Sequence, residues 1–192
     1  MNNCENYPNA TQKSLPIFHI GDFIIREECE DEIESFFEYY SKPEVNRHIL
    51  CTIPKNIEEA KHDFYYWKNA YLRGDGAYFA IAKKDSNKMI GSIGLTGLNS
   101  YHKRIEISYD LSSDYWGKGI MSNAIKKICD FGFKEFHVNR IEASVVPTNS
   151  TSRNLLIRNK FLLEGYLRQH RFHENQFRDV VFFSLLKNDF YK

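Results

Sequence analysis

Residues 106–121 read EISYDLSSDYWGKGIM, and this stretch decides how the rest of the chain is read. Its start continues a strand pattern: Ile105, Ile107, Tyr109 and Leu111 fall on one side and Glu106 on the other. A short polar loop follows. Gly117-Lys118-Gly119 then opens the strongest helical pattern in the chain, 117–136, in which Met121, Ala124, Ile125, Ile128 and Gly132 recur at helical spacing. A helix N-terminus presents unpaired N–H groups and the positive end of the dipole. Glycines remove the side chains that would keep an anion away from them. The stretch therefore points to an anion site suited to a pyrophosphate, with a ligand-free glycine turn as the plain alternative. Gly-x-Gly alone does not separate the two.

Two familiar nucleotide loops fail here. No GxxxxGK[ST] occurs, and a dinucleotide fingerprint would need a third glycine at position 122, which is Ser122. The strand before the loop is half-alternating, unlike a strand buried on both faces. Outward from this segment, 17–26 reads as a first strand with a Gly21-Asp22 turn inside it. Residues 30–40 and 56–73 read as helices, the first stopping near Pro43, the second carrying Ile57, Ala60, Phe64, Trp67 and Tyr71 along one side. Strands follow at 77–83, 89–98, 104–111 and 140–146, a short helix at 151–159, and a closing hairpin, 166–172 with 179–186, around Glu174-Asn175. This order predicts an α+β fold, a mixed but mostly antiparallel sheet of six or seven strands flanked by helices. Residues 1–16 are polar, end at Pro16 and read as a flexible N-terminal arm before a single domain at 17–192.

Composition narrows the function. Lys+Arg 26 against Asp+Glu 25 gives a net charge of +1, so neither nucleic acid nor an anionic membrane is called for as a partner. No apolar run approaches the ~20 residues of a membrane span, and the N-terminus lacks a signal-peptide layout; a cytoplasmic protein is expected. Cys4, Cys29, Cys51 and Cys129 are scattered without a CxxC pair, which suggests neither zinc nor a disulfide framework. Cys129 sits in the apolar helical pattern and reads as a buried thiol. His170, His173 and Glu174 cluster near the hairpin tip, but strand alternation sets the two histidines on opposite faces, so no metal site is expected.

YWGKGIMSNAI, followed by NRIEASVVPTNSTSRNLLIRNKFLLEG and the ending RDVVFFSLLKNDF, resembles the GNAT (Gcn5-related N-acetyltransferase) superfamily. The likeness is closest to the RimJ/RimL branch of ribosomal-protein N-terminal acetyltransferases and covers about 17–186. The resemblance implies a three-layer fold splayed at an acetyl-CoA site, acetyl-CoA as co-substrate and an amine as acceptor, and it makes a homodimer reasonable. It implies that Tyr109 and Leu111, on the strand, line the cofactor. Trp116, Gly117, Lys118, Gly119, Ile120 and Met121 would wrap the pyrophosphate. Asn149 would hold the cofactor arm, Ser152 would sit near the sulfur, and Arg158 would lie close by. Three places depart from the family pattern: Asp114 stands for a Gln or Arg, Leu156 for a general-acid Tyr, and Arg171 for a glutamate base of one branch member.

The catalytic candidates are Glu106 and Ser152. Glu106 is the candidate base, acting through a water, against an exposed glutamate paired with Arg104 or Lys103. Ser152 is the candidate donor to the thiolate, against an ordinary helix-start hydroxyl. Asn149 reads equally as a turn residue. Protein N-termini, polyamines and other small amines all suit the fold as acceptors. A non-catalytic acyl-CoA sensor is the competing class.

Overall fold

The computed structural model describes residues 14–192. Strands β1 (Phe18–Ile20) and β2 (Phe23–Arg26) form a hairpin. Helices α1 (Ile33–Tyr40), α2 (Pro43–Asn46) and α3 (Ile57–Lys68) follow. Then come β3 (Ala77–Lys83), β4 (Met89–Asn99) and β5 (Arg104–Leu111), α4 (Ile120–Glu135), β6 (Arg140–Val145) and α5 (Ser150–Arg158). The chain closes with β7 (Leu162–His173), β8 (Gln176–Leu186) and α6 (Lys187–Phe190).

The strands make one sheet in the order β1-β2-β3-β4-β5-β6-β8-β7. Every neighbouring pair is antiparallel except β5–β6. The eighth strand arises because 17–26 is two strands. Gly21, at φ 63°, turns the chain through Asp22 so that Ile20 pairs with Phe23. At the other end, Glu174 and Asn175 both take positive φ (49° and 57°), the geometry of a tight primed turn between β7 and β8. Pro43 does not merely follow a helix; it begins α2, where its missing N–H costs nothing.

β3 shows why there are three layers. All of Ala77 to Ala82 is buried, but its alternate side chains go to different cores. Phe79 and Ile81 join α4 residues such as Ile125, Ile128 and the buried Cys129 in the larger core. Ala80 joins Phe36, Tyr40 and Phe64 of α1 and α3 in the smaller one. The sheet is thus sandwiched between α4 and the α1–α3 group. Leu15, within the expected arm, is buried in the larger core; the arm's residues 1–13 lie outside the described residues. Among the described residues no helix is long and apolar enough to cross a membrane.

Candidate active site

A cavity of about 930 Å³ opens in the middle of the sheet. The cause is a parting of strands. β5 and β6 pair only from Arg104↔Arg140 to Glu106↔Glu142. Beyond that point 107–111 and 143–146 diverge, and both edges line the cavity. Two sheet edges facing each other across a gap leave backbone groups for an extended ligand to use.

The loop before α4 closes one end. Gly117 and Gly119 stand at φ 75° and 74°, a left-handed region that L side chains rarely adopt. The first bond of α4 runs from the Asn123 N–H to the Gly119 carbonyl at 3.2 Å. The N–H groups of Ile120, Met121 and Ser122 therefore have no intrahelical acceptor. No side chain caps the helix and no acidic residue occupies its first turn, so among the described residues no capping side chain or first-turn acid competes with an anion there. The Trp116 indole Nε1 donates to the Leu111 carbonyl at 2.8 Å and pins the loop to the end of β5. Lys118 turns outward: its Nζ donates to the Asp114 carbonyl at 3.0 Å and lies 4.9 Å above the Tyr115 ring.

On the α4 side of β5, Tyr109 shares a hydrogen bond with Ser152, Oη to Oγ, at 2.8 Å. Burial pushes the Tyr109 phenol well up, so it stays protonated. Asn149 caps α5, its Oδ1 accepting from the Ser152 N–H at 3.0 Å. Arg158, at the far end of α5, also faces the cavity. Ser122 Oγ donates to Asn159 Oδ1 at 3.1 Å and ties α4 to the end of α5.

The opposite side of β5 carries Glu106, Ser108 and Asp110 into the space beneath α1 and α3. Both Glu106 oxygens accept from the same Arg171 guanidinium nitrogen at 3.3 Å. Arg104 pairs instead with Glu142, at 2.7 Å. Ser108 Oγ meets Tyr78 Oη at 2.9 Å. Asp110 accepts from the Ser92 N–H at 3.2 Å and from Ser92 Oγ at 2.8 Å, while burial lifts its carboxyl to about 6. Glu28 is only 3% exposed. Burial, reinforced by the neighbouring Asp110 charge, pushes its carboxyl up to about 8.

The profile of the acetyltransferase (GNAT) domain matches residues 22–162, about three quarters of the chain. The chain belongs to the GNAT acetyltransferase family. Among its relatives, an uncharacterized N-acetyltransferase p20 of Bacillus licheniformis is 34% identical over 160 residues, spanning 83% of this chain and 90% of the relative. The [ribosomal protein uS5]-alanine N-acetyltransferase of Escherichia coli is 28% identical over 121 residues, 62% of each chain. A crystal structure of spermidine N-acetyltransferase from Vibrio cholerae in complex with CoA and spermine superposes with a TM-score of 0.77 at 16% identity. It covers 90% of this chain and 100% of that one. This GNAT protein is an N-acetyltransferase: acetyl-CoA is the co-substrate and an amine the acceptor.

Of the residues singled out from the sequence of this GNAT enzyme, Glu106, Tyr109, Leu111, Trp116, Gly117, Gly119, Ile120, Met121, Asn149, Ser152 and Arg158 line one cavity. The Lys118 side chain does not reach it. Leu156 is fully buried and packs in the core, so the phenol common at that place in the family has no counterpart there. Sequence reasoning passed over Glu28, Ser92, Tyr78 and Asp110. Asp110 carried a signal, a charge on a strand between the apolar Tyr109 and Leu111; Glu28, inside REECEDE, carried none.

Proposed function

We propose that the acceptor is a primary amine, in the first instance the N-terminal amine of a protein such as a ribosomal protein, attacking the thioester directly in a ternary complex. The observation that carries this reading is the joining of the free N–H groups at 120–122, behind the glycine loop, to the gap between β5 and β6. The residues fit acetyl-CoA: Gly117 to Met121, with Trp116 behind them, would hold the pyrophosphate, and Tyr109 and Leu111 the arm. Asn149 holds Ser152 in place, and Arg158 supplies positive charge near the cofactor. The Escherichia coli relative supports the N-terminal acceptor. An α-amine, with a pKa near ~7.7–8.0, also loses its proton more easily than a lysine-like amine near ~10.4.

In this mechanism Glu106 takes the proton of the attacking amine through a water, and Arg171 fixes the carboxylate for that task. As the C–N bond forms and the C–S bond breaks, Ser152 donates a hydrogen bond to the departing sulfur. Tyr109 is the donor behind it: with the phenol proton shared to Ser152 Oγ, the serine's own proton is left for the thiolate. The domain at 17–192 works in the cytoplasm, where acetyl-CoA is available, as a homodimer.

Two measurements test this. A thermal-melt titration with acetyl-CoA, beside adenosine, should give a saturable shift, worth about 2.7 kcal/mol at 100 times Kd; no shift at millimolar acetyl-CoA overturns the cofactor site. Glu106→Gln should cut acetyl transfer at least tenfold while acetyl-CoA affinity is kept. Unchanged turnover removes Glu106 as base, and absence of turnover in the parent protein with every amine favours an acyl-CoA sensor.

A further inference from the structure

The mechanism leaves unused the most buried acid on the cavity wall. Glu28 lies just past β2, and its place is set from behind. Arg26 donates to both oxygens of Glu32, at 2.9 and 2.6 Å, and to the Asn87 side chain and carbonyl, at 2.8 and 2.9 Å. Arg26 is thus committed elsewhere and does not neutralise Glu28 by hydrogen bonding. Lys68 Nζ reaches only the Glu28 backbone carbonyl, at 3.0 Å. Glu28 Oε2 is buried with no hydrogen-bond partner among the described residues, and the residue lines the cavity. A buried carboxyl oxygen without a donor is costly unless a ligand supplies one.

The surroundings say what that ligand carries. Asp110 is close enough to raise Glu28 electrostatically; it accepts from the N–H and Oγ of Ser92, and the buried Tyr39 hydroxyl also favours its charged form. Phe36, Tyr40, Trp67 and Tyr78 supply aromatic walls on the same side. Trp67 and Tyr78 stack with centroids 5.0 Å apart. Two carboxyls among aromatic faces make a pocket for a compact cation: hydrogen-bond acceptors for an ammonium and ring faces for its charge.

We infer that Glu28 and Asp110 form a buried ammonium subsite that takes a second, non-reacting amino group of the acceptor. The inference rests on the acetyl-transfer reading and deepens it. The reacting amine must be neutral to attack, whereas a pocket with two acids holds an amine as its cation, so the two amines occupy different places. They are joined by a flexible alkyl linker. The same chemistry belongs to a small α,ω-diamine and to a lysine side chain close behind a peptide N-terminus. The groups that bear on Glu28 are Asp110 and Glu32, which favour its neutral form, and Lys68 and Arg26, which favour its charged form.

Calorimetry on the full chain saturated with CoA, which cannot turn over, tests the subsite. The ligands are diamines of three to six carbons, the matching monoamines, and the dipeptide amides Ala-Lys and Ala-Ala. The best diamine or Ala-Lys should bind at least tenfold more tightly than its mono-cationic counterpart, and the series it comes from identifies the source. Near pH 7.5, binding of the second ammonium should release a proton as Glu28 ionises, seen as a dependence of the heat on buffer ionisation enthalpy. Glu28→Gln should remove both the preference and the proton release, with acetyl-CoA affinity unchanged. Asp110→Asn serves as the independent variant should Glu28→Gln fold poorly. Equal affinity for mono- and dications, no binding by any of them, or a preference that survives both variants overturns the subsite. Failure of acetyl-CoA itself to bind overturns the underlying reading instead, and the two failures are read in separate experiments.

Discussion

The two halves of the cavity are made of different material. The half proposed to hold the cofactor is mostly backbone: left-handed glycines at 117 and 119, free N–H groups of Ile120 to Ser122, and strand edges that have parted. The half proposed to take the acceptor is side chains drawn from segments far apart in the chain: Glu28, Phe36, Tyr40, Trp67, Tyr78, Ser92, Glu106, Asp110 and Arg171. A site made of backbone depends on φ and ψ and tolerates changes of side chain nearby. A site made of side chains depends on packing, and its chemistry changes with single substitutions. The halves should therefore fail separately.

The largest expected effect comes from Gly94→Ala. A Cβ at Gly94 would stand 1.9 Å from the Tyr78 ring, which cannot retreat because Trp67 stacks on it. Overpacking of this kind costs about 3 kcal/mol, which in a chain of this size lowers Tm by roughly 6–12 °C. Acetyl-CoA affinity, measured on the folded fraction, should stay within about twofold. A comparable loss of cofactor affinity would mean the halves are not separable.

Gly119→Val should do the reverse. No atom lies within 4 Å of a Cβ there, so the penalty is conformational, about 1–2 kcal/mol for the left-handed state and more for a β-branched residue. Acetyl-CoA binding should weaken at least tenfold with little change in the pocket around Glu28. Unchanged affinity would show that the loop's left-handed turns are incidental to the cofactor.

The third effect is gradual in pH and belongs mainly to the acidic side of the cavity. Burial raises Glu28 in the folded protein, to about 8 from 4.5, so the folded state binds this proton more tightly than the unfolded state. Its contribution to stability is fully present below about pH 4.5 and is lost as pH rises through about 8. The slope is at most about 1.4 kcal/mol per pH unit for one proton. Asp110, raised from 3.8 to about 6, acts in the same direction at lower pH. Glu164, held near 2 first by Arg140 and then by Ser184, has the opposite sign and acts only below about pH 4.5. Denaturant melts of the ligand-free protein from pH 5 to 9 should show stability falling to about pH 8 and then levelling, and Glu28→Gln should flatten the curve. A curve of the same shape in the variant would assign the titration elsewhere.

Legibility followed the same division. The loop and α4 could be read because their signals are local. Gly117 and Gly119 precede an apolar repeat, and the structure starts the helix at Ile120, within a turn of the expected place. The Glu174-Asn175 turn was likewise local. Glu106 was placed on the correct face of its strand, but its partner could not be found by inspection, because Arg171 is 65 residues away and meets it only when β7 folds across β8. The 17–26 segment was read as one strand, although its Gly21-Asp22 turn held the sign that it was two. For Ser152 the sequence leaves a thiolate donor and a helix-start hydroxyl both open; Asn149 Oδ1 takes the cap, and the Ser152 hydroxyl bonds Tyr109.

By itself, the sequence determined the fold class and the glycine loop that opens α4, since periodicity, turn residues and a contiguous glycine loop act over a few residues, and acetyl transfer was implied by the resemblance its motifs carry. Only the tertiary structure decided that REECEDE contributes a buried acid. Glu28 keeps a buried Oε2 without a hydrogen-bond partner among the described residues, because Arg26 is drawn into Glu32 and Asn87 instead. Desolvation depends on what lies above and below a residue in space, and no pattern along the chain records it.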